Sequence, residues 1–122
     1  MSEKDKALKK IFDYNTAEII NDQNKNFYNF WRKSYSHFNI VLLLSSTASG
    51  EIGNSYEDIC KLYPSKFASR TTISTILHEG IEKNFFIMTI NKEDHRKHNY
   101  KLSSEHKKIV VDWLINHPVL SL

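Results

Sequence analysis

Cysteine occurs once in the 122 residues, glycine three times and proline twice. A single cysteine excludes an internal disulfide and points to a cytoplasmic setting. So little glycine and proline disfavours an all-β fold, which needs many tight turns. The longest apolar run, Ile40 to Leu44, is far too short to span a bilayer. The opening MSEKDKALKK lacks the apolar stretch of a secretory signal. No Ser/His/Asp order, glycine-rich phosphate loop or pair of catalytic carboxylates stands out, so neither an enzyme nor a cofactor is expected.

What is present fits one domain with a modest core. Hydrophobic residues make up 40%, too many for a mostly disordered chain. The net charge of +3 is unevenly placed. Residues 1–20 hold four basic and four acidic residues, 21–60 three and four, and 102–122 two and two. Residues 61–101 hold eight basic and four acidic, so the positive excess lies in that segment alone. A local basic patch on a near-neutral scaffold is the footprint of nucleic-acid binding, although by itself it also describes a solvated basic face.

Within that segment, SRTTISTILHEGIEKNFF (Ser69 to Phe86) organises the rest. Ile73, Ile76, Leu77, Gly80 and Ile81 fall on one helical stripe. The opposite face carries Arg70, Thr71, Thr72, Ser74, Thr75 and His78, with no carboxylate before Glu79. All can donate hydrogen bonds, which suits the phosphates and base edges of a DNA major groove. Upstream, Ser55 is an N-cap candidate with Glu57 and Asp58 in the first turn. Ile59, Leu62 and Tyr63 face inward, and Pro64 ends the helix. Ser65-Lys66-Phe67-Ala68 is the turn and Ser69 the next N-cap: a helix-turn-helix pattern. Asn84 tolerates the left-handed conformation that ends a helix. Residues 85–90 and 99–102 read as two strands around the polar tip 91–98.

The flanks read as helices. Ala7, Leu8, Ile11 and Phe12 form a weak stripe over 2–14, and Asn15-Thr16 is expected to interrupt it, with Thr16 capping a second start. Apolar positions Ile19, Ile20, Phe27, Tyr28, Phe30, Trp31 and Tyr35 continue to about residue 35. Part of that stripe reads as a dimer or partner face. Phe38 to Ser46 is a buried central helix or a strand, and the helical neighbours favour the helix. Residues 47–54 form a loop in which Ile52 is a one-residue strand beside the later hairpin. Ser103 or Ser104 caps a last helix with Ile109, Val110, Trp113 and Leu114 inward, ended by Pro118 and an apolar tail.

With "SRTTIS…L…G…K" followed by "EDHRKHNYKLSSE", this order resembles the MarR family of bacterial winged-helix transcription regulators. Asp94-x-Arg96 before YKLSSE is its most specific element. The resemblance covers roughly 36–115. It implies a mainly α winged helix-turn-helix fold with a small β-hairpin, divided into an N-terminal dimerisation segment (1–35), a DNA-binding core (36–103) and a C-terminal helix and tail for dimerisation (104–122). It implies a recognition helix, 69–83, in the major groove and a wing, 91–98, whose Arg96 enters the minor groove while Asp94 holds its guanidinium. The family usually has Gly where Asn84 stands and longer final helices.

The expected DNA-binding residues are Ser65, Lys66, Ser69, Arg70, Thr71, Thr72, Ser74, Thr75, Lys92, Asp94, Arg96, Lys97 and His98. His95 and His98 are expected to meet phosphates. Metal ligation by Asp94, His95 and His98, with His106 and His117 as distant additions, is the weaker reading. Cys60 reads as a buried, inert thiol rather than a redox sensor. Tyr28, Trp31 and Tyr35 are candidates to line a small-molecule effector pocket. The expected function is a sequence-specific, homodimeric regulator on double-stranded DNA. The competing class is a winged-helix protein–protein assembly module without DNA specificity.

Overall fold

A computed structural model describes residues 2–20, 24–46, 53–90, 92–94 and 96–116. The fold is mainly helical with a small three-stranded antiparallel sheet. Its elements are α1 (Glu3–Ile20), α2 (Lys25–Trp31), α3 (Tyr35–Ser45), β1 (Asn54–Ser55), α4 (Tyr56–Leu62), α5 (Arg70–Glu82), β2 (Phe86–Ile90), β3 (His98–Leu102) and α6 (Ser104–Asn116). Residues 47–52, which include the expected Ile52 strand, lie outside the described residues, as do Asn91, His95, His117, Pro118 and the apolar tail. Among the described residues, no helix is long and apolar enough to cross a membrane.

The expected break at Asn15-Thr16 does not occur, and α1 runs through it. The Thr16 hydroxyl donates to the Phe12 carbonyl one turn back at 2.7 Å. That local bond satisfies the hydroxyl inside a continuous helix and leaves it no capping role. Helix α1 stays at the periphery, with Leu8 and Phe12 exposed.

The aromatic stripe of α2 is interior. Phe27, Tyr28, Phe30 and Trp31 are each no more than 3% exposed. The Trp31 ring stacks on Phe38 of α3 (5.4 Å, 8°) and meets Trp113 of α6 edge-on (5.2 Å, 72°). Phe30 packs on Phe85 and Phe86. The partner-face reading is therefore corrected for these four residues, because α3, β2 and α6 already cover them. The expected effector pocket fails with it, since Tyr28 and Trp31 are buried while Tyr35 is 71% exposed.

Helix α3 is the buried central helix, with Ile40, Val41 and Leu44 at 1% exposure or less. Ser34 caps it by accepting from the His37 N–H at 3.1 Å, and Ser103 caps α6 by accepting from His106 N–H at 3.2 Å. In each case the histidine three residues on turns its Nδ1 back to the capping hydroxyl, a histidine variant of the capping box. Burial lowers the pKa of both imidazoles and favours the neutral ring.

The sheet order is β1-β3-β2, with Phe86 opposite Leu102 and Met88 opposite Tyr100. The backbone enters β1 at Gly53 with φ +76°, and a Cβ there would meet the Tyr100 carbonyl oxygen at 2.5 Å. Only glycine fits such a conformation and approach.

Candidate nucleic-acid interface

Short-range chemistry sets the helix pair. Ser55 accepts from the Asp58 N–H to start α4, and Ser69 accepts from the Thr72 N–H to start α5, both at 3.1 Å. Tyr63 adopts the extended conformation expected before Pro64, which ends α4. Ile59 packs into the core with Ile73, Ile76 and Leu77. That burial fixes which face of α5 points outward.

The far end of α5 is clamped. Asn84 takes φ 64°. Phe85 N–H donates to the Gly80 carbonyl and Asn84 N–H to the Ile81 carbonyl, closing a Schellman cap. Gly80 lies flat against the Phe86 ring, with no room for a Cβ. The Glu79 carboxylate receives Lys33 Nζ (3.2 Å), Lys83 Nζ (3.1 Å) and His37 Nε2 (3.5 Å). Burial pushes this carboxyl up, but the hydrogen bonds from Lys83, Lys33 and His37 outweigh it and hold it below the usual carboxylate range.

The expected contact residues fall into three groups. Ser65 and Lys66 are exposed in the turn before α5. On α5, Arg70, Thr71, Thr72 and Thr75 are exposed and Ser74 is half-buried. Several donors on this face already have partners. Arg70 makes a two-pronged pair with Glu57 (2.9 and 3.1 Å), and the Tyr56 hydroxyl donates to the Arg70 carbonyl at 3.0 Å. The hydrogen bond with Arg70 lowers the Glu57 pKa, and the same bond raises that of Arg70. Ser69 Oγ and Thr72 Oγ1 are 3.1 Å apart, and Thr75 Oγ1 donates to the Thr71 carbonyl. So Arg70, one of the expected contact residues, is held by α4 in the free protein.

The third group is the hairpin. Lys92, Arg96, Lys97 and His98 are exposed and Asp94 is half-buried. Asp94 Oδ1 accepts from the Arg96 N–H at 3.1 Å and lies 3.5 Å from Arg96 Nε, while Lys97 N–H closes the turn on the Asp94 carbonyl. The pairing expected for Asp94-x-Arg96 is thus present, and the Arg96 side chain is 94% exposed.

Helix and hairpin meet at a cleft of about 330 Å3. Ser74, Leu77 and His78 line it from α5, and Arg96, Lys97, His98 and Tyr100 from the hairpin. Ser55, Tyr56 and Glu57 close it at the start of α4. Of the expected residues the cleft gathers Ser74, Arg96, Lys97 and His98, whereas Ser65, Lys66, Ser69, Arg70, Thr71, Thr72, Thr75, Lys92 and Asp94 lie outside its lining. His78, placed on the donor face of α5 but not among the expected contact residues, and Tyr100, expected only as a strand residue, join the lining. Two signals could have found them: His78 is one turn beyond Ser74, and Tyr100 shares its strand face with His98.

Cys60 is half-buried rather than buried, one turn from Tyr56. Burial first, and the Cys60 thiol second, raise the Tyr56 phenol pKa. His106, raised as a distant metal ligand, packs on Phe27 and Phe85 at 4.7 and 4.9 Å. Among the described residues no three His, Cys, Asp or Glu side chains converge on a metal position.

No family model, curated protein or solved structure matches this chain.

Proposed function

We propose that the protein is a MarR-like winged helix-turn-helix regulator that binds double-stranded DNA sequence-specifically as a homodimer. In this reading α5 enters the major groove and the hairpin tip, residues 91–98, reaches the adjacent minor groove. One observation carries it. An Arg96 side chain that is 94% exposed lines one cleft with Ser74 and His78 of α5, the helix whose N-terminal half carries no carboxylate and exposes Arg70, Thr71, Thr72 and Thr75. An arginine held at its root by Asp94 and otherwise in solvent suits the narrow, negative minor groove. Arg70 would exchange Glu57 for a base edge or phosphate on binding, at little cost, since exposed ion pairs contribute about 0–1 kcal/mol.

One helix and one hairpin read few base pairs, so dimerisation supplies the remaining contact and places two copies of α5 roughly 34–36 Å apart. Surface for it remains on Leu8 and Phe12 of α1 and on Val111 and Ile115 of α6, all exposed apolar side chains. The interior aromatics of α2 are no longer part of that face.

Leu62, expected to face inward with Ile59 and Tyr63, is instead 62% exposed, and together with Phe67 (59%) it favours a second reading, an assembly module that docks protein beside α5. Selection of bound sequences from a random DNA pool separates the two. A regulator yields a two-fold related motif, with affinity falling steeply as salt rises. An assembly module yields none.

A further inference from the structure

The cleft between α5 and the hairpin has unspent bonding capacity of one kind. The side-chain polar groups of Ser74, His78, Lys97, His98 and Tyr100 have no hydrogen-bond partner among the described residues. Each can donate an N–H or O–H. The acid on the rim, Glu57, has both oxygens committed to Arg70. Arg96 adds a cation at the mouth. The lining also includes the buried Leu77 side chain and the Tyr56 and Tyr100 rings.

Donors arriving from two different elements, around a small volume with an apolar wall, fit an acceptor-only group carrying several oxygens. A carboxylate offers two oxygens in one plane. A phosphate monoester offers three, arranged in three dimensions, with charge of about −1.5 to −2. The volume is at the lower end of the roughly 300–1,000 Å3 of ligand sites, which limits the occupant to a small molecule. We propose that this cleft binds the phosphate group of a small phosphate ester, with a compact apolar part of the ligand against Tyr56, Leu77 and Tyr100. Only its regulatory consequence rests on the DNA-binding reading: Arg96 and Lys97 belong to both surfaces, so ligand and DNA compete. The same chemistry has a second source, a phosphate of the DNA backbone.

Calorimetric titration of the full chain without DNA, using phenyl phosphate, inorganic phosphate and benzoate, tests the site directly. Saturable binding of one equivalent of phenyl phosphate is expected, tighter than inorganic phosphate or benzoate. Tyr100→Phe and Lys97→Ala should each weaken it about ten-fold with unchanged urea unfolding. If phenyl phosphate binds this way but the random pool yields no DNA motif, the phosphate site stands and the DNA reading falls. If phenyl phosphate does not bind alone, yet both variants weaken DNA binding several-fold, the phosphate is that of the backbone. Benzoate binding as tightly as phenyl phosphate, or variants that alter neither ligand nor DNA binding, would overturn the proposal.

Discussion

The two ends of α5 are built to opposite specifications. At the C-terminal end, Gly80 is pressed against Phe86, Glu79 is gripped from three sides and the cap is closed by Asn84. At the N-terminal end, exposed side chains hold one another lightly: Arg70 on Glu57, Ser69 on Thr72, Thr75 on its own backbone. Thirteen residues thus combine an anchor with a surface. Stability should reside in the first and binding in the second, so substitutions at the two ends should separate those properties.

The largest effect on folding is expected at Gly80. A valine there would put its branched Cβ into the ring of a Phe86 that is 3% exposed, in a core with no slack. Overpacking of this kind costs about 1–3 kcal/mol, and Gly80→Val should reach the upper end of that range in urea unfolding. Gly80→Ala should cost less, because alanine's helix propensity returns up to about 1 kcal/mol. Wild-type stability for Gly80→Val would show that the anchor is soft.

Next comes Glu79→Ala, expected to cost about 1–2 kcal/mol by removing the acceptor shared by Lys33, Lys83 and His37. The same cluster sets a pH dependence. The Glu79 carboxyl is held below its unfolded pKa, so its contribution is present above the carboxylate range and lost as pH falls through the folded value. His37 and His106 are also lowered, by burial first. They are more easily protonated unfolded, so folding is fully supported above about 6.5 and weakens as pH drops below it. All three act in the same direction. Urea midpoints measured from pH 7 down to pH 4 should fall steadily. A midpoint that rises on acidification would contradict the assignment.

These two ends also show what a sequence reveals unaided. Ser34 was not anticipated as a cap, but Ser55, Ser69, Ser103 and Asn84 were readable, because caps depend on a few consecutive residues. The interior stripe of α5 was readable for the same local reason. Thr16 misled because a threonine hydroxyl can cap a new helix or turn back onto the old one, and local sequence does not choose. The α2 aromatics misled because periodicity shows that a stripe is covered, not what covers it. The cleft was legible only in part. Ser74, Arg96, Lys97 and His98 carry local signals, whereas Tyr100 joins them only once β3 pairs between β1 and β2.

At the N-terminal end of α5, Arg70→Ala should barely move the unfolding midpoint, since its pair with Glu57 is exposed. Affinity for the selected DNA should fall about ten- to a hundred-fold if Arg70 reads a base edge. Glu57→Gln sharpens the test. Releasing Arg70 from its partner should strengthen DNA binding if the pair competes with DNA, and leave it unchanged if Arg70 stays on α4.

The smallest effect on folding is expected at the hairpin tip. Arg96 has 94% of its side chain in solvent and meets Asp94 only at 3.5 Å. Arg96→Ala should therefore leave the urea midpoint unchanged within error, while lowering affinity for the selected sequence several-fold. The guanidinium is a planar fork and the lysine ammonium a point charge, so Arg96→Lys separates shape from charge. Recovery of binding by lysine would mean that the tip contributes charge alone. A loss persisting in Arg96→Lys, and greatest on sites with narrow A·T-rich minor grooves, would mean that the fork is inserted between the strands. A large fall in stability for either variant would make Arg96 a structural partner of Asp94. The hairpin tip would then belong with the anchored end of α5, and the division between the two ends would not extend to the hairpin.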